Sequence, residues 1–456
     1  MAELQLRSLP SVDSVMAAEP VAGMASVYWR EWVVDLVRQE LDRARQAVRQ
    51  GGTAPPAAEV AARVCHRIQV MLQVQPRPVI NATGVVIHTN LGRAPLSRVA
   101  IQAMAQAAQG YANLEMDLES GRRGSRQAHL QPLLGQLTGA EAALAVNNNA
   151  SAVLLGLSAL AAGKEVIVSR GEAVEIGGGF RIPDVLRQSG CILVDVGTTN
   201  RTYVRDYESA VTGNTGALLK VHASNFRVEG FTASVEASEL VEVGRRLGVP
   251  VLHDVGSGCL LPTGKYGLAQ EPMPQESVAA GMGLVFFSGD KLLGGPQSGI
   301  VVGKKDLVAR LERHPLARAV RIDKMSLAAL TATLVHYLRG EAELEIPVWR
   351  MIAATEGALK DRARRWQALL GRDTRVESSR SAIGGGSLPG ETLPTWVLAL
   401  ASNGIPGGTE GVMQKLRQGS PPVVGRIEGN RVLLDPRTVL PEEDESLMAA
   451  VQGAMA

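Results

Sequence analysis

The sequence has few cysteines, few aromatic residues and almost no net charge. Three cysteines occur among 456 residues, Cys65, Cys191 and Cys259, and none forms a C-x-x-C pair. A disulfide framework or a cysteine-rich zinc site is therefore not expected. Lysine and arginine number 47 against 45 aspartate and glutamate, for a formal charge of +2. A nucleic-acid partner would need a local basic surface, because the chain as a whole offers no attraction.

Long apolar runs and familiar ligand motifs are also missing. The longest weakly polar run, 150–163, falls short of the roughly 18 to 20 residues that a membrane span needs. The N-terminal segment MAELQLRSLPSVDS lacks the basic and apolar parts of a secretion signal, so a cytoplasmic protein without membrane contact is expected. The stretch GSGCLL at Gly256 lacks the third glycine of G-x-G-x-x-G, and neither a P-loop nor H-E-x-x-H occurs. No metal site is predicted.

What the chain does contain is 45% apolar and 20% charged residues, a balance typical of globular α/β proteins. Within residues 28–50, apolar side chains from Trp29 to Leu41 recur at i, i+3 and i+4 spacing, and this pattern predicts an amphipathic helix. A second helix is expected over 57–73, before the break Gln-Pro-Arg-Pro. These patterns predict a helical N-terminal domain over residues 1–75. The arginines of the first helix fit a solvated face as well as they fit phosphate contacts.

From about residue 79, short apolar runs alternate with helical patterns. The runs AALAV, EVIVS, CILVDV, ALLKV, PVLHDV and LVFFS predict βαβ units and a mostly parallel sheet in a large domain over 76–340. A helix-rich stretch over 323–370 leads to the glycine-rich turn SAIGGGSLPG and to two strands around residues 428–430. A small α+β domain is therefore predicted over 341–456.

Candidate site residues follow from the rule that ligands bind at the carboxyl ends of parallel strands. Lys291 comes just after the strand LVFFS, which ends at Ser288. A lysine desolvated at this edge could form a Schiff base at neutral pH, although an ordinary surface lysine after a strand fits the segment equally well.

Two further elements give Lys291 a context. Asp254 follows the strand PVLHD, where a carboxylate could pair with a protonated pyridine nitrogen. Asn148, Asn149 and Ala150 open a helix whose N–H groups could bind a phosphate, or could be a simple N-cap. In this chain order the three elements match aspartate-aminotransferase-like (fold type I) enzymes that use pyridoxal 5′-phosphate.

Five longer motifs carry a more specific resemblance. They are INATGVVIHTNLGRAPLS at 80–97, SRGEAVEIGGGFRIPDV, HDVGSG, SGDKLLGGPQSG and SAIGGGSLPG. Together they closely resemble the bacterial selenocysteine synthases, the L-seryl-tRNA(Sec) selenium transferases, and the likeness extends from LPSVD at Leu9 into the C-terminal domain. The HTNLGR block is far more selective than any glycine motif.

The resemblance implies an activity and a set of roles. In this family, pyridoxal phosphate supports β-elimination of the seryl hydroxyl on tRNA(Sec), and the aminoacrylyl intermediate accepts selenium from selenophosphate. Lys291 matches the cofactor attachment point and proton shuttle, Asp254 the partner of the pyridine nitrogen, and Asp290 a further active-site residue.

The resemblance also implies which residues hold the two substrates. Arg93, Arg318 and Arg321 match the positions associated with selenophosphate, although Arg318 and Arg321 also fit an ordinary charged helix face. The N-terminal domain would bind seryl-tRNA(Sec), and a ring-like homo-oligomer is expected.

The loop GRRGSR, with Arg122, Arg123 and Arg126, would reach a neighbouring subunit's site or be a solvated loop. Two other functions stay open: a related pyridoxal-phosphate lyase acting on a free amino acid or an amino-sugar phosphate, and a non-catalytic RNA-binding scaffold.

Overall fold

The computed structural model describes residues 2–176, 179–371, 374–401 and 405–455. Gly177 and Gly178, part of the GEAVEIGGG motif, lie outside the described residues. The chain forms two compact units, Met1–Pro78 and Val79–Ala456. Among the described residues, no helix combines the length and the apolarity needed to cross a bilayer.

The first unit is helical, as predicted. Its helices are α1 (Ala2–Arg7), α2 (Val12–Met16), α3 (Glu19–Val27), α4 (Arg30–Arg49) and α5 (Ala57–Leu72). Helix α4 buries Val33, Leu36, Val37 and Leu41 against the other helices. Trp29, expected on this apolar face, instead precedes the helix and is 72% exposed.

The second unit is built around a seven-stranded sheet. In spatial order its strands are β3 (Ala142–Val146), β11 (Gly299–Gly303), β10 (Leu284–Ser288), β9 (Val251–Gly256), β8 (Thr215–Val221), β4 (Glu165–Ser169) and β7 (Ile192–Val196). Every neighbouring pair is parallel except those of β11, which is antiparallel to both β10 and β3. The mostly parallel sheet expected from the sequence is confirmed. The other strands of the unit are β1 (Ile80–Asn81), β2 (Val85–Ile87), β5 (Glu175–Ile176), β6 (Phe180–Arg181), β12 (Thr374–Gly384), β13 (Thr392–Leu400), β14 (Val423–Val424), β15 (Arg426–Glu428) and β16 (Arg431–Leu434).

Helices cover both faces of this sheet, so its central strands are buried on both sides. Phe286 and Phe287 of β10 belong to the cores on opposite faces, as the period of two along a strand requires. The helices of the unit are α6 (Arg98–Gln109), α7 (Gln131–Thr138), α8 (Asn149–Ala161), α9 (Ile182–Gln188), α10 (Val204–Ala210), α11 (Ala237–Leu247), α12 (Pro274–Ala279), α13 (Lys305–Arg313), α14 (Leu316–Ala319), α15 (Lys324–Leu338), α16 (Ala342–Glu345), α17 (Pro347–Ala353), α18 (Glu356–Leu370), α19 (Gly408–Gln418) and α20 (Asp444–Met455).

A second, five-stranded sheet has the order β15-β16-β13-β12-β2. The hairpin predicted around residues 428–430 is present, because β15 pairs antiparallel with β16. Strand β2 comes from the start of the unit and pairs in parallel with β12, and β1 pairs in the same way with β14. The first strands of the predicted domain 76–340 thus join strands of the predicted domain 341–456, and the three-domain division stays a prediction.

Candidate active site

Lys291 lies in the turn that follows β10 and is only 4% exposed. The turn is fixed by its backbone, since the N–H of Leu292 donates to the carbonyl of Ser257 at 3.0 Å and that of Gly294 to the carbonyl of Lys291 at 2.9 Å. Ser288, at the end of the strand, is also buried. Burial lowers the pKa of Lys291 because it penalises the ammonium form, and the nearby Asp254 opposes this shift. The amine is therefore easier to deprotonate than that of an exposed lysine.

Asp254 lies in the neighbouring strand β9 and is 3% exposed. Its Oδ1 accepts hydrogen bonds from Asn149 Nδ2 at 2.9 Å and from the N–H of Gly256 at 3.1 Å. Burial raises the pKa of Asp254, while the hydrogen bond from Asn149 and the charge of Lys291 act in the opposite direction. The structure thus brings together the aspartate, the lysine and one asparagine that the sequence singled out.

The turn at Asn148 is an N-cap, one of the two roles considered for it. Asn148 is the N-cap of α8, and its side chain accepts from the N–H of Ser151 at 2.9 Å. The N–H groups of Asn149 and Ala150 precede the first intrahelical bond, from Ala152 to the carbonyl of Asn148. A helix start of this kind, beside Asp254, can bind an anion through its N–H groups and its dipole.

Arg93 lies beside the lysine, because its Nη1 donates to Oδ2 of the adjacent Asp290 at 2.8 Å. The N–H of Ala94 also donates to the carbonyl of Asp290, at 3.2 Å. Arg93 has a φ of +66°, a left-handed conformation that arginine rarely adopts. The HTNLGR block therefore holds a strained residue against the turn that carries Lys291. Strain held in place by surrounding contacts is frequent at functional sites.

The other predicted arginines lie apart from this pair. Arg318 is exposed in the short helix α14. Arg321 forms an isolated antiparallel bridge with Val146, the residue before the Asn147 turn, and its side chain is 42% exposed. Within the described part of the chain, no hydrogen bond or ion pair joins Arg318 or Arg321 to the Arg93–Asp290 pair.

The GRRGSR loop is tied to the same region through Glu115. Its carboxylate forms ion pairs with Arg126 at 2.6 Å and with Arg123 at 3.0 Å, and Arg321 lies 3.8 Å from it. The hydrogen bond from Arg126 lowers the pKa of Glu115. Arg126 is therefore held inside its own subunit, whereas Arg122 is exposed and Arg123 has a side chain 80% exposed.

Two residues beside the site, the half-buried His222 and the buried Glu271, were not predicted from the sequence. His222 follows β8 directly, and its Nε2 lies 3.6 Å from Oε2 of Glu271, whose side chain is 2% exposed. Among the described residues, His222 Nε2 and Glu271 Oε1 are buried without hydrogen-bond partners. His222 could have been found by the rule that selected Asp254, since it follows the run ALLKV. Glu271 lies in a loop and had no such signal.

The space around the amine is kept open by glycine. A Cβ at Gly386 would lie 2.5 Å from Lys291 Nζ, and Gly386 also has a φ of +79°. Asn149 Oδ1 and Ser257 Oγ are buried without partners among the described residues, so polar groups are left for a ligand. A desolvated amine, a buried carboxylate and a helix N-terminus are the groups that bind the aldehyde, the ring nitrogen and the phosphate of pyridoxal phosphate. The residues present therefore fit this cofactor.

The lowered pKa of Lys291 predicts a specific pH dependence. Only the neutral amine attacks an aldehyde, so the rate at which cofactor-free protein captures pyridoxal phosphate should rise with pH. The midpoint of this rise is expected below that of an exposed lysine, which titrates near a pKa of about 10.4. Stopped-flow absorbance across a pH series measures the midpoint, with Nα-acetyllysine as the reference amine. A midpoint equal to that of the reference would show that burial leaves the amine unchanged.

Comparison with solved structures identifies the fold. The structure of a D-glucosaminate-6-phosphate ammonia-lyase aligns with a TM-score of 0.60 at 22% identity, and the match covers 85% of this chain and 98% of that one. The fold is that of the fold-type I pyridoxal-phosphate enzymes, so the predicted fold class is confirmed.

Comparison of sequences then gives the family. Residues 79–440 match the family model described as L-seryl-tRNA selenium transferase, and residues 6–45 match selenocysteine synthase N terminal. The L-seryl-tRNA(Sec) selenium transferase of Moorella thermoacetica is 49% identical over 99% of this chain and 97% of its own length. That of Geobacter sulfurreducens is also 49% identical, over 97% of this chain and 98% of its own. The chain belongs to the L-seryl-tRNA selenium transferase family, and the resemblance seen in the sequence is confirmed.

Proposed function

We propose that this protein converts L-seryl-tRNA(Sec) to L-selenocysteinyl-tRNA(Sec) with pyridoxal 5′-phosphate as cofactor. One observation carries the proposal: the buried Lys291 and Asp254 lie together in a chain that is 49% identical, over nearly its whole length, to a transferase of that name. The reaction would take place in the cytoplasm, where charged tRNA is found.

The cofactor contacts follow from the site. Lys291 would bind the aldehyde carbon, Asp254 the ring nitrogen, and the N–H groups at the start of α8 the phosphate. When bound, the cofactor supplies an electron sink for removal of the α-proton and the β-hydroxyl of the seryl group. Lys291 Nζ takes the α-proton, for which its lowered pKa suits it. The buried Asp254 carboxylate would hold a proton on the ring nitrogen, and the burial of both side chains limits their contact with water.

Selenophosphate is a compact polyanion, for which the planar guanidinium fork is well suited. We assign Arg93, Arg318 and Arg321 to this donor. Support comes from Arg93, which contacts Asp290 next to the lysine. It also comes from Arg321, whose backbone pairs with Val146, just before the turn that we propose binds the cofactor phosphate.

The arginine assignment predicts a selective kinetic defect. Arg318→Ala or Arg321→Ala should spare the cofactor spectrum and tRNA affinity but reduce the efficiency of selenophosphate use by about tenfold to a few hundredfold, the loss of one charge-assisted contact. Lysine at either position should restore only part of the loss, since it keeps the charge without the fork. Selenophosphate titration at saturating seryl-tRNA measures this. If the double alanine variant shows an unchanged dependence of rate on selenophosphate concentration, both arginines are surface residues with no role in binding the donor.

We also propose that the first unit binds the tRNA, reading its folded shape and phosphates. The arginines of α4 are not equivalent in this role. Arg38 and Arg43 are paired with Asp35 and Glu40 at 3.0 and 2.6 Å. Arg30 and Arg49, at the two ends of the helix, are exposed and make no ion pair among the described residues. They are the stronger candidates for phosphate contacts.

Assembly into a homo-oligomer, in ring-like form, is part of the proposal. Ile101, Tyr111, Met116 and Leu118 are 52%, 109%, 53% and 73% exposed, and they lie in one stretch of the second unit. A row of exposed large apolar residues suggests a surface covered by another subunit. The exposed Arg122 follows the same stretch and could then reach a neighbour's site.

A direct test compares substrates in the presence of selenophosphate. Seryl-tRNA(Sec) should yield selenocysteinyl-tRNA(Sec), while free serine and D-glucosaminate-6-phosphate should not react. Turnover of a free substrate in place of the tRNA would favour the lyase, which shares the fold. A purified protein with no cofactor absorbance near the violet edge would instead indicate the non-catalytic scaffold.

A further inference from the structure

A cavity of about 680 Å³ lies beside the site, at the carboxyl ends of β4 and β8. Glu271 and His222 line its inner part, and Leu388 belongs to the same wall. The N–H of Leu388 donates to Oε2 of Glu271 at 3.3 Å. Two residues earlier, Gly386 lies against Lys291 Nζ. The loop of Gly386 and Leu388 therefore joins the wall of the cavity to the surroundings of the reactive amine. The volume of the cavity suits a ligand of nucleotide size.

The outer part of the cavity carries an unusual aromatic residue. Phe226 lines it and is 37% exposed, although the chain has only five phenylalanines and Phe286 and Phe287 are fully buried. An accessible ring in the wall of a cavity is a platform for stacking a nucleobase. Arg201 also lines the cavity, with its Nε bound to the carbonyl of Phe231 at 3.1 Å. A guanidinium in this position can reach a phosphate.

The inner part carries an unsatisfied acceptor. The side chain of Glu271 is only 2% exposed, and its Oε1 is buried without a hydrogen-bond partner among the described residues. A buried carboxylate oxygen without a donor is costly, and such atoms are normally paired. A ribose hydroxyl is a suitable donor, since carboxylates bind ribose hydroxyls in nucleotide sites.

We infer that this cavity holds the 3′-terminal adenosine of the aminoacylated RNA, with its base against Phe226 and a ribose hydroxyl at Glu271. The inference rests on the proposed function. It accounts for delivery of the seryl group to the lysine: the amino acid is esterified to that ribose, and Glu271 is bound by Leu388, in the loop whose Gly386 lies against Lys291.

The test uses the full-length enzyme with its cofactor and seryl-tRNA(Sec) at saturating selenophosphate. Phe226→Ala should raise the KM for seryl-tRNA by about fivefold to a hundredfold, the loss of one base–aromatic stack. Tyr203→Ala is the matched control, since this ring is 40% exposed, close to the exposure of Phe226, and is not among the residues lining the cavity. It should cause no comparable change. An unchanged KM in Phe226→Ala overturns the inference.

A second arm probes the ribose. Seryl-tRNA that ends in 2′-deoxyadenosine, with serine on its 3′-oxygen, should show a raised KM with the wild type. Its KM should not rise further with Glu271→Ala, because the hydroxyl that Glu271 would bind is already missing. Glu271→Gln should recover part of the preference for the natural RNA over the 2′-deoxy RNA, because the amide oxygen still accepts a hydrogen bond. If the wild type has the same KM for both RNAs, Glu271 does not bind the ribose hydroxyl. A wild type that converts no seryl-tRNA would refute the proposed function, and the inference with it.

Discussion

Lys291→Ala is expected to abolish covalent cofactor attachment and to lower turnover by about a thousandfold or more. The variant loses both the nucleophile that binds the aldehyde and the base that moves the α-proton, and base catalysis alone contributes roughly 10² to 10⁴. The fold should survive, because removing a buried amine also relieves its desolvation cost. Borohydride reduction followed by peptide mapping should place a pyridoxyl group on Lys291 in the wild type and on no residue of the variant.

Lys265→Ala is a suitable control for this experiment. Lys265 belongs to the same unit, its side chain is 43% exposed, and it pairs with Glu343 at 2.6 Å. It should keep both the adduct and turnover. Asp254→Ala provides a second comparison, in which the adduct persists while turnover falls, because its role is at the ring nitrogen. A pyridoxyl label on a different lysine would refute the assignment of Lys291.

Removal of residues 1–75 is expected to eliminate specific tRNA binding while leaving a protein that still binds cofactor. The expectation follows from the two compact units: α1 to α5 bury their own core, and the groups around Lys291 all belong to the second unit. Filter binding with tRNA(Sec) and absorbance of the bound cofactor measure the two properties separately.

The salt dependence of binding refines this prediction. For the full chain, Arg30→Ala or Arg49→Ala should flatten the slope of log affinity against log salt by about one unit per lost phosphate contact. Arg38→Ala should have a smaller effect, because Asp35 already pairs with this arginine. Equal binding by the truncated and intact proteins would show that the tRNA contacts lie in the second unit.

Local patterns were sufficient for much of the fold. Helix α5, Ala57–Leu72, lies within one residue of the bounds predicted for it, 57–73, and LVFFS forms β10 as expected. Two features could not be read in this way. Strand β11 inserts between β10 and β3 with reversed direction, and β2 joins β12 from the far end of the chain. Register between distant segments depends on tertiary packing, on which a local pattern gives no information.

The candidate site shows the same division. Lys291 and Asp254 follow apolar runs, so the strand-end rule found both. The rule did not reveal that Asn149 donates to Asp254 or that Gly386 makes room for the amine, because these contacts join segments about 100 residues apart. Glu271 was not predicted for the same reason. A carboxylate in a loop can be recognised as a site residue only from the buried groups around it in the folded protein.

The pairing of the first strands of the second unit with its last has a consequence for synthesis. Strand β1 pairs with residues that leave the ribosome about 340 positions later. At roughly 5 to 20 residues per second, Ile80 waits between about 17 and 70 seconds for its partner. The segment from β1 to Arg93 therefore cannot take its final position until translation is almost complete, so a nascent chain should hold no finished site. Such long-range closure is slow compared with the formation of local helices. Ribosome-bound chains that stop before residue 423 should accordingly leave the HTNLGR segment open to proteases, whereas the released protein should protect it.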